Sequence, residues 1–159
     1  MNSMRKFIVS VLALLLSVAA FCGTADKSRL NSVIERYRGT EGFEVINFKP
    51  ITLSLVKAVA KTRGVSAFKD VKTMEIIAYE ECPEQLKKEI GERLSDALDG
   101  NNLIMEAKDT GDIVRIYGTV EDESDVVNDI ILFNLSEGML MCITGRINLK
   151  DLAQMSQMD

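Results

Sequence analysis

The stretch CPEQLKKEIGERLSDALDG, residues 82–100, carries the clearest helix pattern of the chain. Its large apolar residues recur at every fourth position: Leu86, Ile90, Leu94 and Leu98. Pro83 suits a first helical turn and Gly100 follows the last apolar residue, so both ends of the helix are marked. Burial of each stripe residue would contribute roughly 1.5–3 kcal/mol, opposed by the entropy of ordering it.

Downstream of this helix the pattern changes to strands. The segments LIMEAK, DIVRIYGTV, DVVNDIILFNL and MLMCITGRI are rich in β-branched residues and are separated by DTGD, EDES and SEG. Such turn sequences between apolar runs predict two or more hairpins. A short last helix is predicted from Asn148, which can cap it, with Asp151 three residues on.

Upstream, the pattern alternates between helix and strand. Residues 28–38 carry one apolar stripe at helical spacing: Leu30, Val33, Ile34 and Tyr37. FEVINF, residues 43–48, alternates like a strand. Pro50 opens a second helix, which carries Leu55, Val56 and Val59 and ends near Gly64. Residues 71–79 then predict another strand, with Met74, Ile76 and Ala78 on one side.

Helices gathered early and strands gathered late favour an α+β architecture. We expect a single domain with a mostly antiparallel sheet of about five to six strands and with helices packed mainly on one face. No low-complexity linker or internal repeat divides residues 23–159, which form that single α+β domain in our interpretation.

The first 22 residues have the order of an export signal. Arg5 and Lys6 precede about 15 apolar or small residues, a run that is shorter than the roughly 20 residues of a membrane-spanning helix. We therefore predict a signal peptide at residues 1–22 and a protein of the periplasm or outer envelope.

Three cleavage positions compete, after residues 21, 22 or 25. A cut before Cys22 would leave that cysteine for lipid attachment, but Phe21 fills a position that favours a small residue. Ala20 with Cys22, or Gly23 with Ala25, provides small residues for release as a soluble chain. A membrane partner is expected only if Cys22 is lipidated.

The charge and composition of the chain argue against nucleic-acid binding, histidine-dependent catalysis and cofactor binding. The chain carries 24 acidic and 19 basic residues and no histidine. A net negative surface without a basic stripe repels phosphate backbones, so we expect no nucleic-acid partner. Without histidine there is no His-centred triad and no histidine metal ligand. The sequence also lacks a CxxC pair, a phosphate-binding glycine loop and a dinucleotide fingerprint, so we expect no cofactor and no catalytic residue.

Two acidic motifs are candidate sites. DTG at Asp109–Gly111, followed by Asp112, resembles an aspartic-protease tripeptide, but its flanks favour a hairpin turn. EDESD at residues 121–125, with Asp129 nearby, could attract calcium, yet it lacks the ligand spacing and the glycine of a calcium loop. We expect a solvated strand connection there and no metal site.

Cys82 and Cys142 are the two thiols of the exported domain. An oxidising compartment permits a disulfide between them, and two unpaired buried thiols are the other state. The sequence alone favours the unpaired state without excluding the bridge.

Several phrases together resemble a known family. The leader ending in AAFC, then YRGTEGFEVINFKP, EIIAYEE, VRIYGTV and CITGRINLKDLAQMSQ, is similar to the exported bacterial family catalogued as domain of unknown function 4252. The resemblance implies export to the cell envelope and one compact α+β domain, and it implies no established activity or functional residue.

These observations favour a non-catalytic binding or structural module of the cell envelope, with an envelope protein or other ligand as its unknown partner. The alternatives are a carboxylate-dependent hydrolase using Asp109 and Asp112, and an accessory component of envelope signalling.

Overall fold

The computed structural model describes residues 27–64, 66–122 and 124–150. Three helices lie in these ranges: α1 (Lys27–Tyr37), α2 (Pro50–Thr62) and α3 (Glu84–Leu98). Six strands accompany them: β1 (Glu44–Asn47), β2 (Asp70–Ala78), β3 (Leu103–Asp109), β4 (Asp112–Val120), β5 (Val126–Asn134) and β6 (Met139–Asn148). The predicted leader at residues 1–22, with Cys22, lies outside the described residues.

The strands form one sheet in the order β1-β2-β6-β5-β4-β3, and every neighbouring pair is antiparallel. After β2 the chain follows α3 to the far edge, where β3 begins. It then meanders back through β4 and β5 until β6 pairs with β2. The predicted α+β domain with a mostly antiparallel sheet is thereby confirmed.

Helices α1 and α3 cover one face of the sheet. Their stripes supply Leu30, Ile34, Ile90, Leu94 and Leu98, each at most 2% exposed. These side chains pack against Ile77, Ile131, Phe133 and Leu140 of the central strands. The fourfold spacing in residues 82–100 therefore identified the helix that covers the sheet.

The opposite face carries a second apolar cluster. Ile76, Ile116, Ile130 and Met141 belong to it, because neighbouring residues of a strand point to opposite faces. Helix α2 contributes Leu53, which is 4% exposed. Two of the three described helices thus lie on the first face, in agreement with the expected layering.

The predicted helix that begins at Pro50 is present as α2, but the apolar residues named from its sequence do not include the one that is buried most. Leu55 and Val59 are 63% and 55% exposed, whereas Leu53 is buried. Apolar residues occupy two sides of this helix, so spacing alone does not identify the side that contacts the sheet.

The predicted start of a last helix is present at the end of β6. Asn148 Oδ1 accepts a hydrogen bond from the backbone N–H of Lys150 at 2.9 Å, as a capping side chain does. Asp151 and the residues after it lie outside the described part of the chain.

A groove beside helix α3 as candidate functional site

A groove of about 760 Å³ runs between the exposed flank of α3 and the turn that joins β5 to β6. One wall consists of polar and charged side chains of α3: Glu84, Lys87, Lys88, Glu92, Ser95 and Asp96. Leu135 and Ser136 of the turn form the other wall. The amphipathic pattern of α3 explains this lining, because the apolar stripe faces the sheet and leaves the polar side for the groove.

Gly91 forms part of the groove where α3 approaches the turn. A Cβ atom on Gly91 would lie 3.0 Å from Leu135 Cδ1 and 3.5 Å from Tyr79 Oη. A larger residue would therefore displace Leu135 and change the shape of the groove. Glycine in a helix interior costs stability, so its presence here has a packing reason.

Tyr79 lies beneath this part of α3 and is fully buried. Its hydroxyl has no hydrogen-bond partner among the described residues. Burial raises the pKa of Tyr79 well above its ordinary value, which keeps the phenol neutral.

Glu137, next to Ser136 in the same turn, is partly buried, and its Oε2 atom is shielded from solvent. Its Oε2 atom has no hydrogen-bond partner among the described residues. Burial raises the pKa of Glu137, and the charges of Asp112 and Glu80 raise it further, while Lys87 opposes them. The carboxyl group is thus held closer to its neutral form than an exposed glutamate.

A smaller recess of about 330 Å³ shares Ser95 and Asp96 with the groove and extends it toward β3 and β4. Arg115 lies there, with Nε donating to Glu106 Oε2 at 2.7 Å and Nη1 donating to Ser95 Oγ at 2.8 Å. This contact anchors the sheet to α3 and fixes the guanidinium group. Hydrogen-bond donors and acceptors consequently lie beside α3 over much of its length.

The arrangement is suited to holding an extended polar ligand. Both carboxylates and ammonium groups of α3 lie along one wall, and Leu135 offers an apolar contact on the other. Such a surface can satisfy the hydrogen bonds and charges of a polypeptide segment.

Asp109 and Asp112 lie at a hairpin, as the turn interpretation predicted. They face each other as the last strand pair of β3 and β4, and Thr110 and Gly111 between them have φ angles of 42° and 97°. Positive φ at both central residues is the geometry of a tight two-residue hairpin turn. Both aspartates are exposed, and neither lines the groove.

The described residues of the acidic cluster are engaged in structural contacts. Glu121 pairs with Arg146 at 2.9 Å, and Asp125 pairs with Lys150. Asp129 Oδ1 accepts a hydrogen bond from the N–H of Gly145. Within the described ranges, no three potential metal-ligating side chains converge on one point.

Cys82 and Cys142 are both free, buried thiols in the structure. Cys82 Sγ donates to the carbonyl oxygen of Glu41 at 3.6 Å. Cys142 lies on β6, beside Glu75 of β2 and Ile131 of β5. Burial raises the pKa of both thiols, to about 12 for Cys142, so each is protonated near neutral pH.

Sequence reasoning did not find the groove. The charged residues of α3 have the spacing of an ordinary solvated helix face, which does not distinguish a groove wall. Gly91 was the available signal, because it is the one glycine inside an otherwise strong helix pattern. Glu137 had no sequence signal, since the burial of its Oε2 atom depends on the packing of the turn.

Comparison with known proteins yields one family match. The model of the family described as domain of unknown function (DUF4252) matches residues 37–155, which include β1–β6, α2 and α3. No curated protein and no solved structure matches the chain. Among the described helices, none has the length and apolar content needed to cross a bilayer. The family match covers most of the chain, and the protein therefore belongs to the DUF4252 family.

Proposed function

We propose that the protein is an exported, non-catalytic binding module of the cell envelope, and that the groove beside α3 receives a polypeptide segment of an envelope partner. The observation that carries this proposal is the groove of about 760 Å³ with charges of both signs on its α3 wall. Export is supported by the leader pattern of residues 1–22.

The shape and lining of the groove favour a chain over a small compact ligand. The polar wall is a continuous helix flank, and the adjoining recess lengthens it toward Arg115. An extended segment can contact successive turns of α3, while Leu135 contacts an apolar side chain of the partner.

Site-specific photocrosslinking in cells tests this function. A photoreactive amino acid replaces Glu92, an exposed residue of the α3 wall, in the full chain expressed in its own host. We expect one discrete crosslinked species, identified by mass spectrometry as an envelope protein. The matched control places the same group at Glu35, which is exposed on α1 and does not line the groove.

Reversal of a charge on the groove wall is a second test of the proposed binding site. Lys88→Glu changes the groove wall and is expected to reduce the crosslink about tenfold, whereas Arg36→Glu on α1 should leave it unchanged. No adduct from the Glu92 position, or the same adducts from the Glu35 position, would reject the groove as the binding site.

A further inference from the structure

We propose that helix α2 binds an anionic lipid bilayer surface through an exposed apolar stripe formed by Ile51, Leu55 and Val59. The contact is peripheral, with the helix axis parallel to the membrane. It does not require a lipid on Cys22, and it is separate from the groove beside α3.

The stripe follows one side of the helix. Ile51, Leu55 and Val59 are spaced four residues apart and are 77%, 63% and 55% exposed. Three of the five large apolar residues that are exposed among the described residues therefore belong to this one helix. Leu53, which contacts the sheet, holds the opposite side of α2 in place. The stripe is consequently presented outward on a fixed element.

All charged residues between β1 and β2 are cations. Residues 45–69 contain five cations and no acidic residue, although the chain as a whole is acidic. The five cations are Lys49, Lys57, Lys61, Arg63 and Lys69. None of them takes part in an ion pair between described residues. These cations are available to an external anionic surface.

A cavity beside α2 adds to this positive region. It has a volume of about 780 Å³, and Lys57, Lys69 and Lys72 are among its lining residues. Asp70 and Asp129 lie in the same lining, so the cavity is mixed in charge with cations in excess. Cations thus extend from the helix onto the adjoining part of the sheet.

An apolar stripe bordered by lysines is the pattern of helices that lie in the membrane interface. The apolar side chains enter the region of the acyl chains, and the lysines extend to the headgroups. A second copy of this chain fits less well, because a symmetric pair through the same surface would bring like charges together. Anionic headgroups complement both features of the surface.

Vesicle binding tests the proposal. A chain that begins at Gly23, as a cut after Cys22 would leave it, is mixed with vesicles of phosphatidylglycerol and phosphatidylcholine, and with vesicles of phosphatidylcholine alone. We expect sedimentation with the anionic vesicles only. Replacement of Ile51, Leu55 and Val59 by alanine should lower the affinity at least tenfold, because each truncation removes apolar surface from the contact. Alanine favours the helix, so this variant keeps the fold, as circular dichroism will show.

Two control variants outside α2 test whether the position of an apolar or cationic residue matters for vesicle binding. Leu103→Ala removes another exposed apolar residue, 46% exposed on edge strand β3, and should leave vesicle binding unchanged. Lys61→Gln should weaken binding about fivefold at low salt. Arg36→Gln, at an exposed position on α1, should not.

The chain contains no tryptophan, so the fluorescence of a single introduced tryptophan can report whether the stripe enters the bilayer. Leu55→Trp places a single fluorophore in the stripe, and its emission should shift to shorter wavelength with anionic vesicles. Leu103→Trp should show no shift. Equal sedimentation of wild type and the triple variant, or no shift at position 55, overturns the proposal. A dimer in sedimentation velocity that the triple variant dissociates, without vesicle binding, would assign the surface to a second copy instead.

Discussion

Asp129 of β5 accepts a hydrogen bond at Oδ1 from the backbone N–H of Gly145 in β6, at 3.1 Å. Both residues have a positive φ, 52° for Asp129 and 109° for Gly145. The registers of β5 with β6 and of β2 with β6 shift nearby, so two irregularities meet at this point. The aspartate side chain supplies the acceptor that the regular ladder does not provide there.

Gly145→Ala should be strongly destabilising. A Cβ atom at this position would collide with the carbonyl oxygen of Asp70, and the positive φ adds backbone strain. We expect a loss of roughly 3 kcal/mol or more in the free energy of unfolding, measured by urea denaturation.

Gly100→Ala is the matched control for this prediction. Gly100 also has a positive φ, 84°, but a Cβ atom there meets nothing within 4 Å. Its cost should be about 1 kcal/mol, the backbone contribution alone. Equal losses for the two variants would show that the contact with Asp70 has no effect on stability.

Ile90→Asp should unfold the domain. Ile90 is fully buried at the centre of the α3 stripe, where a carboxylate would have no water and no cationic partner in the surrounding apolar cluster. The penalty of several kcal/mol approaches the whole stability of a domain this size. Gln85→Asp, at an exposed position of the same helix, should melt like the wild type. A soluble Ile90→Asp variant with a cooperative thermal transition would contradict the role of the stripe.

The buried sides of α1 and α3 were predictable from the sequence because each helix has a single apolar side. The α3 stripe leaves one apolar side, and Leu30, Ile34 and Tyr37 do the same for α1, so burial follows from spacing. The pairings of β3 with β4, of β4 with β5 and of β5 with β6 follow from short turns between apolar runs, and the hairpin at Asp109–Asp112 is one of these turns.

The features that the sequence did not predict depend on contacts between residues that are far apart in the chain. Helix α2 has apolar residues on two sides, and only the sheet decides that Leu53 faces inward and Leu55 outward. The bond between Tyr37 Oη and Glu89 Oε1, 2.6 Å long, joins α1 to α3 across 52 positions of sequence. The groove arises in the same way, because α3 and the turn at Leu135 meet only in the folded chain.

The two thiols should react only after unfolding. Cys82 and Cys142 are buried, and burial raises the pKa of both, so native protein should react with iodoacetamide slowly at neutral pH. In denaturant without reductant, peptide mass mapping should find both cysteines alkylated. A chain in which neither is alkylated until reductant is added would carry the disulfide that export permits.

Glu137→Gln should make stability less dependent on pH. Burial raises the pKa of Glu137 in the folded protein, so the folded state binds this proton more tightly than the unfolded chain. Its contribution to stability is full below the ordinary glutamate pKa of about 4.3, and it is lost as pH rises through the raised value. The glutamine variant has no proton to lose. At pH 7 it should therefore be more stable than wild type, and the difference should vanish in acid.

Lys87→Met should act in the opposite direction, because the Lys87 charge lowers the pKa of Glu137. Its removal leaves the charged carboxylate without that support, so stability at pH 7 should fall relative to wild type while stability near pH 4 changes less. Denaturant unfolding of both variants across pH 3.5–8 checks the pair of predictions. If the Glu137→Gln difference were the same at every pH, it would have to come from packing, and the carboxyl group would not be the source of the pH dependence.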